Sequence, residues 1–153
     1  MTPDDLVEFE AIKQVKYRYL RAVDTRDWDL LATTLTDDAT SAYSSGKLSY
    51  EGRDAIIEFL RQSMPEKDML TSHKVHHPEI ELTGPDTATA RWGLEDVVII
   101  LPANLNLRGA AYYEDQMRKV DGEWRIAHTG YRRLYEEMSP RTSENITDHW
   151  WKE

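Results

Sequence analysis

Two side chains near the end of the first helical segment have the types and the spacing that proton transfer needs. Asp24 lies where the apolar pattern ends, directly after Val23. An aspartate at this position commonly caps or ends a helix, but a carboxylate beside an apolar stripe could also act as a base or hold a histidine. Tyr19 lies about one turn earlier, and its phenol could pack in the core or donate a hydrogen bond to a substrate oxygen.

Three neighbouring histidines, His73, His76 and His77, form a second candidate group. Alternation along a strand would place His73 and His77 on one face and His76 on the other, and no acidic residue has a convincing ligand spacing. The sequence therefore predicts no metal site. A single inward histidine suits a general base, because its ordinary pKa lies near neutrality; a hydrogen-bonded structural histidine is the alternative. We expect Asp24, Tyr19 and His73 to line one ligand-sized pocket.

Arginines on the predicted strands are the remaining candidates for binding charge. One that turns inward could bind a leaving group or a developing oxyanion; the candidates are Arg91, Arg108, Arg132 and Arg133. The chain has no glycine-rich phosphate loop, no dinucleotide-binding fingerprint and no serine nucleophile elbow. Nothing in the sequence therefore indicates a covalent or nucleotide-dependent enzyme.

Composition narrows the class of protein and of partner. The 153 residues carry a net charge of −9 and no cysteine, which argues against a nucleic-acid partner and excludes disulfides and thiol chemistry. The amino terminus lacks a signal-peptide pattern, and the longest apolar run, Val97–Leu101, is too short to span a membrane. We expect a soluble cytoplasmic protein of one domain, residues 1–153, with no membrane partner.

The periodicity of apolar side chains predicts three helices in the first part of the chain. In the first helix these side chains recur every three or four residues. The basic residues of that helix are assigned to its solvent-facing side: Lys13, Lys16, Arg18 and Arg21. The predicted helices span Pro3–Asp24, Asp27–Leu35 and Arg53–Gln62.

After the third helix the period changes to two, which is typical of strands. An Asp-Gly pair at 121–122 predicts a hairpin. Helices followed by long antiparallel strands indicate an α+β fold, in which a curled sheet closed by helices leaves a conical cavity. The predicted strands span Ala39–Tyr43, Leu48–Tyr50, Ser72–Leu82, Thr87–Leu101, Asn106–Val120 and Glu123–Tyr135. Residues 139–153 form a tail with two tryptophans that could serve oligomer contacts.

Several of these stretches together resemble the nuclear-transport-factor-2-like superfamily and its SnoaL-like group, over about residues 8–135. Within that group the chain resembles the branch of scytalone dehydratase, bile-acid 7α-dehydratase and hexachlorocyclohexane dehydrochlorinase. The resemblance implies a cone-shaped, strongly curved antiparallel or mixed sheet closed by three helices, an α+β barrel. The stretches that carry it are 12–19, Asp24-Thr25-Arg26-Asp27-Trp28-Asp29, Tyr50-Glu51-Gly52-Arg53, Thr71-Ser72-His73 and 118–126.

The resemblance also implies roles for single residues. His73 matches the family's general base, which removes a proton from a substrate carbon, and Asp24 matches the aspartate that orients it. Tyr19 resembles a tyrosine that assists in the bile-acid dehydratases, and Tyr43 one that acts through water in scytalone dehydratase. The arginine that helps the leaving group would be Arg133 or Arg132, with Arg133 preferred.

Departures from the scytalone dehydratase pattern argue against that particular enzyme. The stretch where it has a second pocket histidine contains Asp96 instead, and Tyr113 replaces its pocket asparagine. We expect Asp96, Tyr113, Tyr43 and Trp92 to contact substrate.

The resemblance favours a cofactor-independent dehydratase acting on a small hydrophobic substrate that is cyclic and hydroxylated. An isomerase or cyclase with the same residues, a non-catalytic binding module and the structural subunit of an oxygenase remain alternatives. It also implies a homo-oligomer, with a trimer favoured and a dimer as the alternative.

Overall fold

The helices form where the 3.6-residue period predicts them. A computed structural model describes residues 1–142 and 145–152. The side chain of Thr2 accepts from the backbone of Asp5, whose carboxylate accepts from the backbone of Thr2, so both cap the first helix. Asp27 caps the second helix by accepting from the Leu30 N–H. Each predicted end lies within one residue of the observed one; the helices are α1 (Pro3–Thr25), α2 (Trp28–Thr34) and α3 (Arg53–Ser63).

Six strands form one mixed sheet, which confirms the predicted α+β class. Their order is β2-β1-β6-β5-β4-β3, and every neighbouring pair is antiparallel except β1 and β6. The last strand continues beyond its predicted end because β5 pairs with it as far as Pro140, where most side chains are exposed and no period marks the strand. The strands are β1 (Leu35–Tyr43), β2 (Leu48–Glu51), β3 (Met69–Gly84), β4 (Thr87–Ile100), β5 (Leu105–Val120) and β6 (Glu123–Pro140).

The core lies between one face of this curved sheet and the helices. From α1, Ile12, Val15 and Val23 are buried against the sheet. Alternate residues of the long strands point inward, as the two-residue period predicts; Ala90, Trp92 and Leu94 of β4 are examples. We call this side of the sheet the inner face and the opposite side the outer face.

None of the helices in the described residues is both long and apolar enough to cross a membrane.

Candidate active site

The end of α1 and the beginning of β3 bring Asp24 and His73 together. His73 Nδ1 lies 2.7 Å from Asp24 Oδ1, and the backbone N–H of His73 donates to Asp24 Oδ2 over 2.8 Å. Both side chains are mostly buried, with 14% and 19% of the His73 and Asp24 side chains exposed. An ionised carboxylate only accepts hydrogen bonds, so the imidazole donates from Nδ1. Its Nε2, which has no hydrogen-bond partner in the described residues, is then left to accept a proton.

A second ion pair lies beside this one on the inner face. Asp96 of β4 pairs directly with His73 across the strands, and residues paired in this way point to the same face. Arg133 of β6 donates to both oxygens of the Asp96 carboxylate, over 2.5 and 2.9 Å. Its Nε lies 3.0 Å from the half-exposed Glu136. The structure therefore places Arg133 on the inner face next to His73.

Gly109 makes the ion pair of Asp96 and Arg133 possible. It lies on β5 between the two strands, opposite Asp96. A Cβ at this position would lie only 2.6 Å from Arg133 Nη1. A register shift between Ala110 and Ala111 brings Ala111 opposite Arg133. Strand pairing and a missing side chain thus choose Arg133 over Arg132, a choice that the sequence alone left open.

A group of phenols lies deeper in the inner face. The hydroxyls of Tyr19 and Tyr43 are 3.1 Å apart, and Tyr113 lies on the same buried side. Burial raises the pKa of Tyr19 and of Tyr113 well above the ordinary range, and raises the pKa of Tyr43 to about 12. All three therefore remain neutral at physiological pH and keep a proton to donate. Trp92 is fully buried beside them, and its indole N–H has no partner in the described residues.

Lys16 lies in the core and not on the solvent-facing side of α1, to which the sequence assigned it. It is fully buried, and its ammonium lies 2.8 Å from Asp115 and 3.5 Å from the centre of the Tyr113 ring. Burial lowers the pKa of Lys16, and the charge of Asp115 opposes that change. The spacing did contain the signal, since Ile12, Lys16 and Tyr19 are separated by four and three residues. Assigning the position by its charge instead of its spacing produced the error.

The three histidines also depart from simple alternation. At His77 the backbone has a φ of 34°, and the register with β4 shifts between His76 and Glu79. This bulge turns His77 to the outer face, where its ring stacks on His76 and lies against Gly93. The sequence predicted that His77 shares a face with His73, and this prediction is wrong. No group of three potential ligands that could hold a metal ion occurs in the described residues.

The contacts above account for only part of the pocket that the sequence predicts for Asp24, Tyr19 and His73. A concavity of about 1360 Å³ is lined mainly by outer-face residues, such as Tyr112, Glu114 and Arg132, and it also includes Arg133. Asp24, Tyr19 and His73 do not line it. On the inner face Asp24 contacts His73 and Tyr19 contacts Tyr43, so the two pairs lie on the same side of the sheet. That they line one ligand cavity stays a prediction.

We expect the buried phenol of Tyr43 to make the protein unstable at high pH. An unfolded tyrosine has a pKa of about 10, whereas burial raises that of Tyr43 to about 12. The folded state binds this proton more tightly, so the stabilisation is complete below pH of about 10 and is lost as pH rises through about 12. The difference corresponds to about 3 kcal/mol.

The measurement is the free energy of unfolding in urea, followed across this alkaline range. Tyr43→Phe should make the decline shallower, while Tyr19 and Tyr113, whose pKa values are also raised, maintain part of it. Replacement of the exposed Tyr135 by Phe is the control and should leave the slope unchanged. A Tyr43→Phe profile as steep as that of the wild type would show that this phenol does not cause the decline.

Comparison with known proteins shows which domain family the sequence matches and which solved structures share the fold. Residues 4–130 match the sequence profile of the SnoaL-like domain. A candidate scytalone dehydratase from Novosphingobium aromaticivorans is 22% identical, with a TM-score of 0.81 over 98% of this chain and 99% of the other. A hexachlorocyclohexane dehydrochlorinase from Novosphingobium barchaimii is 20% identical, with a TM-score of 0.81 over 95% and 98%.

The third similar structure is an NTF2-like protein of unknown function from Pseudomonas putida. It is 18% identical, with a TM-score of 0.64 over 79% of this chain and 82% of the other. At these identities the similarity shows the fold alone, and it confirms the predicted nuclear-transport-factor-2-like fold.

Proposed function

The chain belongs to the SnoaL-like domain family, and from this we propose that it is a cofactor-independent lyase. The reaction would be loss of water from a small, hydrophobic and cyclic substrate that carries a hydroxyl group. The observation that carries the proposal is the hydrogen bond between His73 Nδ1 and Asp24, which orients the imidazole and leaves Nε2 as the base. The neighbouring ion pair of Asp96 and Arg133 supplies groups for the leaving hydroxyl.

In the proposed reaction His73 Nε2 takes the proton from a carbon next to the substrate carbonyl. The electrons of the broken C–H bond form an enolate, and Asp24 stabilises the imidazolium that results. The C–O bond to the hydroxyl on the adjacent carbon then breaks, a C=C bond forms, and the hydroxyl leaves as water with the proton returned by His73. General acid–base catalysis of this kind contributes about 10²–10⁴-fold to the rate.

The phenols would hold the substrate oxygen on which charge develops. Tyr19 and Tyr43 share one hydrogen bond between their hydroxyls, so one of the two protons remains for a substrate carbonyl. Trp92 and Tyr113 would form apolar walls that exclude water from the enolate. A neutral donor in a dry site stabilises an oxyanion more strongly than water does.

The charge of the second ion pair favours a hydroxyl over a halide as the leaving group. Asp96 already neutralises Arg133 through two hydrogen bonds, and Asp96 is almost completely buried. A leaving chloride needs uncompensated positive charge, and the nearby carboxylate would repel it. A hydroxyl can donate to Asp96 and accept from Arg133 at once.

Asp96→Asn is therefore expected to change the preference between leaving groups. The ratio of kcat/KM for a cyclic β-hydroxy ketone to that for its β-chloro counterpart should fall by about tenfold or more, since hydrogen bonds to charged groups contribute about 1.5–3 kcal/mol. Glu136→Gln is the matched control, because Glu136 also pairs with Arg133 but is nearly half exposed. An unchanged ratio in Asp96→Asn would exclude Asp96 from leaving-group selection.

The experiment that tests the function is a screen of hydroxylated cyclic ketones in D₂O. A lyase forms the conjugated enone, which absorbs in the ultraviolet, and releases water. An isomerase with the same base incorporates deuterium at the carbon next to the carbonyl, forms no enone and releases no water. Binding of the ketones without either signal would favour the non-catalytic binding module.

A further inference from the structure

Arg26 follows Asp24 by two residues and ends α1 in an unusual conformation. Its φ and ψ of 58° and 33° lie in the left-handed region, which is unfavourable for residues other than glycine. The residue is nevertheless almost completely buried. The strained backbone and the burial of a charge are both unfavourable, so other interactions must compensate for them. The hydrogen bonds of the guanidinium do so.

The guanidinium of Arg26 connects three separate segments. Its Nη1 donates to the Val23 and Asp24 carbonyls at the end of α1, over 2.8 and 3.2 Å. Its Nε donates to the Met64 carbonyl at the end of α3, over 2.9 Å. Its Nη2 donates to the Met69 carbonyl at the start of β3, over 2.5 Å. The segment that carries Asp24 is thereby tied to the segment that carries His73.

A further hydrogen bond leads from Arg26 to the candidate catalytic pair through Thr71. Arg26 Nη1 donates to Thr71 Oγ1 over 2.8 Å, and Thr71 Oγ1 lies 2.9 Å from Asp24 Oδ1. Because an ionised carboxylate cannot donate, the single hydroxyl proton of Thr71 points to Asp24. Asp24 then accepts from Thr71 and twice from His73, which leaves the carboxylate little freedom to rotate.

We propose that Arg26 is a positioning residue that sets the geometry of the Asp24–His73 pair through Thr71 and through the backbone on both sides. Asp24 and His73 lie 49 residues apart on different elements, so their hydrogen bond depends on how α1 docks against β3. The ring of Trp151 lies 5.1 Å from the Arg26 guanidinium and covers it from another side. The effect on catalysis rests on the proposed function, whereas the effect on the hydrogen bond does not.

The test is Arg26→Gly, which removes the guanidinium but accepts the left-handed conformation without strain. We expect kcat to fall by about 10²-fold, the size of effect that a misplaced catalytic group produces, with a much smaller change in KM. Free guanidinium at sub-denaturing concentration should restore part of kcat in a saturable manner. The proton NMR signal of His73 Nδ1–H, which reports the bond to Asp24, should shift or broaden and return with guanidinium.

Two further variants keep the test decisive. Lys67→Gly is the matched control, because Lys67 is an exposed cationic residue with a φ of 68° in the connection between α3 and β3; it should leave kcat and the NMR signal unchanged. Thr71→Val leaves Arg26 intact and should lower kcat by about 10–100-fold, since a displacement of about 1 Å at a catalytic group can cost about 10²-fold. It also provides the answer if Arg26→Gly does not fold.

The outcomes separate this proposal from the proposed function. If no substrate is turned over by the wild type, the proposed function fails, and the NMR signal alone decides the role of Arg26. A folded Arg26→Gly protein with an unchanged His73 signal would overturn the proposal, as would wild-type kcat. A loss of kcat that guanidinium does not restore, with an unchanged NMR signal, would also overturn it.

Discussion

Replacing His73 by alanine is expected to lower kcat by about 10²–10⁴-fold, the contribution of a general base. The imidazole is the group whose Nε2 has no partner in the described residues, while its Nδ1 is held by Asp24. Alanine retains the backbone N–H that donates to Asp24 Oδ2, so the strand and the carboxylate should keep their places. Binding of a product enone, measured by titration, should therefore change much less than kcat.

His76→Ala is the matched control for this experiment. His76 lies on the same strand, but its side chain is about half exposed (49%) on the outer face, 3.4 Å from Glu95. Its removal should leave both kcat and ligand binding unchanged. Equal turnover by wild type and His73→Ala would remove His73 from the mechanism, and equal losses in both histidine variants would indicate damage to the strand instead of loss of a base.

Lys16→Met is expected to lower the free energy of unfolding by about 3–5 kcal/mol, the usual cost of leaving one partner of a buried ion pair alone. Neither side chain of the Lys16–Asp115 pair is exposed at all. Within the described residues the Asp115 oxygens have no hydrogen-bond partner besides this ion pair. Without the ammonium, the carboxylate would remain as a bare charge in the core or would have to take up a proton. Asp115→Leu should destabilise the protein for the same reason.

The double variant Lys16→Met/Asp115→Leu should recover most of that loss, because two apolar side chains of similar volume need no desolvation of charge. Urea unfolding of the wild type, both single variants and the double variant forms a double-mutant cycle that isolates the coupling. Lys13→Met is the control: it removes a cation of the same helix that pairs with Glu10 at the surface and should change the stability little. A double variant as unstable as the single ones would show that packing, and not charge pairing, determines the loss.

The secondary structure followed from local patterns to a large extent. Helix bounds were correct to within one residue because the apolar period and the caps, such as Asp27, act over a few neighbouring residues. The hairpin at residues 121–122 has a backbone with positive φ at both Asp121 and Gly122, the turn that an Asp-Gly pair favours. The continuation of β6 to Pro140 was missed, since it depends on pairing with β5.

The candidate site was recognised only in part. Asp24 and His73 were identified, and the structure places them in direct contact. Arg26 and Thr71, which surround that pair, stand in the stretches that carried the resemblance, but no local pattern shows that a guanidinium will reach three segments. Lys16 has the spacing of a buried residue, but its charge indicated the surface, and the partner that compensates this charge, Asp115, lies far away in the sequence on β5.

By itself the sequence determined which segments are helices and strands, that the fold is α+β, and that an aspartate and a histidine are candidates for proton transfer. These features depend on short-range periodicity and on residue chemistry. Only the tertiary structure decided that Arg133 and not Arg132 meets Asp96, that His77 faces outward, and that Lys16 is buried. The first two depend on a register shift and a bulge, because side-chain direction in a sheet reverses with every residue by which the pairing shifts. The third depends on Asp115, a partner on a strand far away in the sequence.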